Sequence, residues 1–205
     1  MSATKLDPRV KRTRKLLWDA ILDLIIEADR AGHDLEAITI QDIADRAEVN
    51  RVTFYLHYKT KSELLGDAIE SRLSELTTAF ETSPSPINLL ESAKGYQLLF
   101  DHIAQYAALY KVLLGERGTG YVSNRIIDYM TDYASRQINL PAEISGFVSS
   151  TLLVRASASS VVSIVTWWLR EGMPYSPEQM AAFCFQFCCH GFTSFLSPGA
   201  SSPTA

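Results

Sequence analysis

Cysteine is scarce in this chain: Cys184, Cys188 and Cys189 are the only three, and all lie near the C-terminal end. An odd number at local helical spacing does not make a disulfide framework, so a reducing cytoplasm is the expected home. Excess positive charge is also lacking. The formal net charge is −4, which removes any whole-chain attraction to nucleic acid. Strand-type alternation of apolar and polar residues appears nowhere. No glycine-rich phosphate loop follows a strand, no nucleophile elbow is present, and no carboxylates pair in a frame suited to acid–base work. An enzyme is therefore disfavoured and no cofactor is expected. The first residues are polar and charged through Lys15, so no secretory signal peptide is expected. A clean apolar run is missing too. Residues 147–169 come nearest, but Arg155 sits mid-stretch among Ser149, Ser150, Thr151, Ser157, Ser159, Ser160 and Ser163. Those residues suit hydrocarbon poorly, so no membrane partner is expected and a packed bundle or dimer helix is.

What is present is an uneven distribution. With 47% hydrophobic and 20% charged residues in 205, the chain can bury a proper core. Lys5, Arg9, Lys11, Arg12, Arg14 and Lys15 face only Asp7 at the start, giving +5 there and −9 over the remainder. A basic arm on an acidic body fits phosphate contact at one end and repulsion of DNA elsewhere.

The most telling stretch spans residues 39–64, TIQDIADRAEVNRVTFYLHYKTKSEL. Thr39 is placed to cap a helix with Asp42 at its third position, and Ile38 and Ile43 stand where a hydrophobic staple needs them. Ile40, Ile43, Ala44 and Ala47 form one apolar face. Asn50 caps a second helix, with Val49 and Phe54 as its staple. Phe54 and Tyr58 turn inward; Arg51, Val52, Tyr55 and Leu56 turn outward. Thr60 and Glu63 mark a third start. Helices that begin so close together must cross steeply, as a helix-turn-helix requires.

The rest of the chain reads as all-α, about nine helices in total. A first helix runs from Pro8 to about Arg30 on a stripe of Leu16, Leu17, Ala20, Ile21, Leu24 and Ile25. A connecting helix covers 61–80, and Pro84 and Pro86 break the chain after it. Helices are then expected over 87–105, 108–114, 121–137, about 142–171, and from the capping box at Ser176 to about Leu196. The expected organisation is a three-helix helix-turn-helix domain over 8–60, the connecting helix, a helical regulatory and dimerisation domain over 87–196, and a disordered tail over 197–205.

The long first helix, T-x-x-x-I-A at residues 39–44 and T-F-Y-x-H-Y-x-x-K-x-E-L-L at residues 53–65 together resemble the TetR family of bacterial one-component regulators. LLGERG at 113–118 and WWLREGMPYSPEQM at 167–180 resemble a TetR C-terminal subtype common in Firmicutes. The resemblance implies a homodimer whose two recognition helices enter successive major grooves of a palindromic operator. It also implies a C-terminal pocket for a small-molecule effector. Carried over, Thr39, Tyr55, His57 and Lys61 contact phosphate or brace the recognition helix. Gln41, Arg51, Val52, Thr53 and Leu56 can reach base edges, Arg51 being the best reader of guanine. Arg9 and Arg12 join them from the basic arm. Glu48 and Val52 depart from the family pattern, in which small residues are commoner.

Other residues admit two readings. His57 would suit catalysis in isolation but reads here as part of the DNA-binding motif. The three cysteines with His190 could sense oxidants or hold a metal, yet cysteine is an ordinary small hydrophobe in buried helices, and no metal is expected. Phe100, Tyr106, Tyr110, Phe147 and Trp167 could line an effector pocket, with Arg155 as an anion partner; core packing or dimer contact is the plainer role. Two alternatives stay open: control by a protein partner instead of a ligand, and action as an activator.

Overall fold

The structure, a computed structural model, describes residues 7–83, 87, 91–115, 120–137 and 149–191. Nine α-helices and one short 3-10 turn make up its secondary structure among the described residues, with no strand. They are α1 Pro8–Arg30, α2 Ile40–Arg46, α3 Arg51–His57, α4 Lys61–Glu81, α5 Lys94–Gln105, α6 Ala107–Leu114, α7 Gly120–Gln137, α8 Ser150–Arg170 and α9 Pro177–His190. The 3-10 turn Leu35–Ala37 lies between α1 and α2.

Local chemistry starts most of these helices. Asp7 accepts from the Arg9 amide at 2.8 Å, with Pro8 in the first turn, where its missing N–H costs nothing. Thr39 and Asp42 form a reciprocal capping box, as do Ser176 and Gln179. Asn50 caps α3 and Thr60 caps α4. The Glu63 carboxylate completes the last of these differently from a standard box, accepting from the Lys59 amide at 2.8 Å.

Three differences from the sequence reading concern boundaries and stripes. Leu16 is 42% exposed while Leu22 is buried; α1 packs on α2, α4 and α6, so its buried arc is wider than one stripe. The helix expected from residue 87 begins at Lys94. The last helix ends at His190, with Gly191 at φ 72° and ψ 177°, a combination essentially confined to glycine. The expected tail over 197–205 and the expected helix start near 142 lie outside the described residues.

The head, α1 to α3, is joined to the body by α4, which packs on α1, α5 and α7. In the body α5 pairs with α9 and α7 with α8. Buried apolar side chains from Leu17 to Cys184 join one contiguous core, with Phe54, Phe100, Tyr110 and Trp168 its largest members. Gly66 on α4 faces the Tyr121 hydroxyl so closely that a Cβ would lie 2.8 Å from it and would push that side chain aside. By length and composition α8 could cross a membrane; here it packs against α6 and α7.

Candidate nucleic-acid interface

The turn between α2 and α3 is made without glycine. Glu48 takes φ 53°, a left-handed conformation that costs a side-chain-bearing residue about 1 kcal/mol. The amide of Val49 then bonds back to the Ala44 carbonyl at 2.9 Å, and Asn50 Oδ1 takes the Val52 amide at 2.8 Å. These bonds fix the direction of α3. The helix is anchored through one fully buried residue, Phe54, and through buried Tyr58 at its C-terminal cap. Everything else on its outward side is open. Val52 is 65% and Leu56 76% exposed, and Tyr55 lies beside them. The Arg51 guanidinium sits 5.7 Å above the Tyr55 ring, with Nη2 3.3 Å from the hydroxyl. Such a stack holds an arginine extended at modest cost. A short helix that leaves two aliphatic side chains, a tyrosine and an arginine in solvent is built to meet another surface.

Gln41 is exposed on α2, its amide donating to Asp45 at 2.7 Å. Thr53 and His57 are half-buried on the flanks of α3. The Thr39 hydroxyl is spent locally, donating to Asp42 at 2.7 Å and accepting from its amide at 3.1 Å. Arg46 holds Glu27 of α1 at 2.5 Å, fastening α2 to α1. On the basic arm Arg9, Lys11, Arg12 and Lys15 are exposed. Arg14 turns inward, and Lys5 lies outside the described residues.

Lys61 has a more definite place than the sequence indicates. Its ammonium donates to the carbonyls of Leu35, Glu36 and Ile38 at 3.1, 3.1 and 2.8 Å. An ammonium has three donors, so all of them are committed to the loop that precedes α2. Lys61 thereby braces the entry to the helix-turn-helix.

Sequence reasoning missed a polar knot beneath α3. The Asp67 carboxylate on α4 accepts from Arg14 Nη2 at 2.5 Å, from Trp18 Nε1 at 2.9 Å and from the Tyr58 hydroxyl. Arg14 Nε and Trp18 Nε1 also reach the Tyr58 oxygen, at 3.1 and 2.8 Å. Burial alone would raise the Asp67 carboxyl, but the bonds from Tyr58 and Arg14 outweigh it and hold the group below its ordinary value. Burial, reinforced by Asp67, pushes the Tyr58 phenol up to about 12. The one available signal was Trp18 four residues after Arg14, since a buried indole N–H needs an acceptor.

The candidate effector residues do not converge. Phe100 is fully buried, edge to face with Trp168 at 5.3 Å. Tyr110 is buried with its hydroxyl 3.0 Å from His102 Nε2. Tyr106 donates to Glu75 at 3.2 Å, beneath the Arg72 guanidinium. Trp167 turns outward and stacks on Tyr175. Arg155 makes a surface ion pair with Asp128 at 2.5 Å. The reason is helical phase: α8 points Arg155 and Trp167 away from the core that receives Phe100 and Tyr110. Phe147 lies outside the described residues. A cleft of about 180 Å³ between α1 and α4 is lined instead by Lys15, Trp18, Asp19, Ala68, Ser71, Arg72 and Glu75. Burial pushes the Cys184 thiol up to about 12, which keeps it from being a reactive thiolate.

Comparison with known proteins places these features. Residues 31–68 match the model of bacterial regulatory proteins, tetR family, and residues 91–188 match a transcriptional regulator C-terminal region of TetR type. The HTH-type transcriptional regulator YxbF of Bacillus subtilis (strain 168) is 28% identical over 186 residues, covering 89% of this chain and 46% of that protein. The chain thus spans about half the length of this relative. A TetR transcriptional regulator from Streptococcus agalactiae 2603V shares the fold with a TM-score of 0.61 at 20% identity, over 88% of this chain and 95% of that one. A TetR-family regulator from Syntrophomonas wolfei str. Goettingen does so with a TM-score of 0.61 at 20% identity, over 94% and 99%.

Proposed function

The chain belongs to the TetR family of transcriptional regulators, and on that premise we propose that it is a cytoplasmic, homodimeric repressor that binds a palindromic DNA operator and is released by a small-molecule effector. The observation that carries the DNA-binding part is the open face of α3. Arg51 reads a base edge, Val52 and Leu56 meet thymine methyls, and Tyr55, Arg9 and Arg12 hold phosphates. Gln41, Thr53 and His57 flank that face, and Thr39 and Lys61 brace it through the bonds described above. The helix-turn-helix over 8–60 and the body over 87–196 act as separate functional units joined by α4.

A second copy is the partner that fits α8 and α9. Leu152, Ala156, Ser163 and Trp167 line the outward side of α8, and Ala182 and Phe183 are exposed on α9. Small residues between bulky ones allow two helices to pack closely. One observation supports a second reading, control by a protein partner: Phe100 and Trp168 pack on each other, and Tyr110 bonds His102, so these aromatics already have partners within the core.

The test is binding of the purified protein to the DNA flanking its own gene, across a salt series. Protection of a palindromic site, weakening steeply as salt rises, is expected. Arg51→Ala should lose about 1–3 kcal/mol of discrimination at one base pair in each half-site, whereas Arg12→Ala should weaken all sequences alike. A wild-type protein that protects no site at any salt would sink the reading.

A further inference from the structure

We infer that Asp67, on α4 and away from the open face of α3, is the positioning residue for the recognition helix: its carboxylate holds Tyr58 and thereby sets the angle at which α3 is presented. This rests on the DNA-binding reading above and names how that same site is aimed.

The argument starts from how little holds α3. The helix has seven residues and one fully buried side chain, Phe54. Its packing is mainly on α2, which is itself only seven residues long. Rigid-body rotation of so short a helix is resisted by whatever fixes its two ends. At the N-terminal end that is Asn50, through the Val52 amide. At the C-terminal end it is Tyr58, whose amide closes the helix on the Phe54 carbonyl at 2.9 Å. Tyr58 is 3% exposed, and its hydroxyl runs into the α1–α4 junction. There it meets Asp67, Arg14 and Trp18. The four side chains come from two helices, α1 and α4, and from the cap of α3. Asp67 is the only acceptor common to the other three. Such a shared carboxylate is harder to replace than any one of its donors. Asp67 and Arg14 are each roughly three-quarters removed from solvent, so the pair is shielded from salt.

A positioning role leaves a signature distinct from that of a phosphate contact. Asp67→Asn removes a negative charge and frees Arg14, so electrostatics alone would tighten binding to any DNA. Loss of aim predicts the reverse for specific binding only. Tyr58→Phe makes the same break without changing charge and keeps the ring in the core. The experiment measures affinity for the protected fragment and for unrelated DNA of equal length, at a temperature where circular dichroism shows full helix content. Expected is a fall of about tenfold in the specific-to-unrelated ratio for each variant, the discrimination of roughly one good base contact. Affinity for unrelated DNA should be held or raised. The double variant should lose no more than either single one, because both cut the same link. An unchanged ratio in both folded variants overturns the inference. So does an equal fall on both DNAs, which would mean general damage. If Asp67→Asn does not fold, Tyr58→Phe alone decides. If wild type shows no preference between the fragments, the DNA-binding reading itself fails first.

Discussion

The head and the body of this protein are built by different means. In the head, polar groups at fixed sequence offsets do the work. Thr39 and Asn50 each cap a helix through a side chain, and Thr60 does the same where the connecting helix leaves the head. In the body, α5, α6 and α8 start with no side-chain cap bond. There the order comes from volume, with Phe100, Tyr110 and Trp168 filling the space between helices. The difference teaches that the helix starts of the head are specified locally, whereas most of the body depends on packing between distant segments. A local code must survive with few buried residues, and that suits helices whose outer face has to stay open for DNA.

The largest effect should follow from attacking the body where volume matters most. Trp168 is fully buried and its indole donates to the Tyr175 carbonyl at 2.9 Å. Trp168→Ala should destabilise the protein by about 3–5 kcal/mol through the cavity it leaves. Urea unfolding would measure this. Residual folded protein should still show the head's DNA preference. Loss of that preference at full helix content would break the division between the two regions.

This division also explains what could be read from the sequence. Every helix start in the head was legible because a cap is a short-range signal, as at Thr39 with Asp42 and at Asn50. Phe54 and Tyr58 could be assigned inward because their spacing of four leaves no other face for them. The capping box at Ser176 was equally readable. What was not legible depends on contacts across long sequence separations. Nothing near Lys61 tells that its ammonium lies on carbonyls 23 to 26 residues earlier. Nothing near Asp67 tells that Arg14, 53 positions away, will reach it. The described effector candidates scatter for the same reason. An aromatic residue in an amphipathic helix reads alike whether it fills a core, as Phe100 does, or faces solvent, as Trp167 does.

Lys61 gives the next effect in size and sharpens the comparison from the head's side. Lys61→Met keeps the aliphatic stem and deletes the three donors. Leaving carbonyls short of partners at a partly buried site should cost about 1–3 kcal/mol. The urea midpoint should fall with its slope unchanged. DNA affinity should fall as the loop before α2 loosens, but the dependence of binding on salt should stay the same. A lysine on a phosphate would behave otherwise, its removal reducing the salt slope by about 1. A reduced slope for Lys61→Met would therefore return this residue to the phosphate-contact role that the family resemblance allowed.

The smallest effect tests whether capping separates the two regions. Thr39 and Ser149 are both hydroxyl residues at the N-terminal cap of a helix, and both are exposed. The Thr39 hydroxyl accepts its cap bond from the Asp42 amide at 3.1 Å, and the Thr39 amide donates the reciprocal bond to the Asp42 carboxylate at 2.8 Å. Ser149 makes no side-chain cap bond. Thr39→Ala should therefore cost about 1 kcal/mol, read as a lower midpoint of thermal unfolding. Ser149→Ala should leave that midpoint nearly unmoved. The pH dependence carries the same contrast. The bonds from Thr39 hold the Asp42 carboxyl below its ordinary value, so its share of stability is present above the unfolded carboxylate range and is lost as pH falls through the lower folded value. The gap between Thr39→Ala and wild type should narrow in that acid window, while Ser149→Ala should track wild type throughout. Equal shifts from the two substitutions would mean that the body relies on its caps as much as the head does, and the comparison would fall.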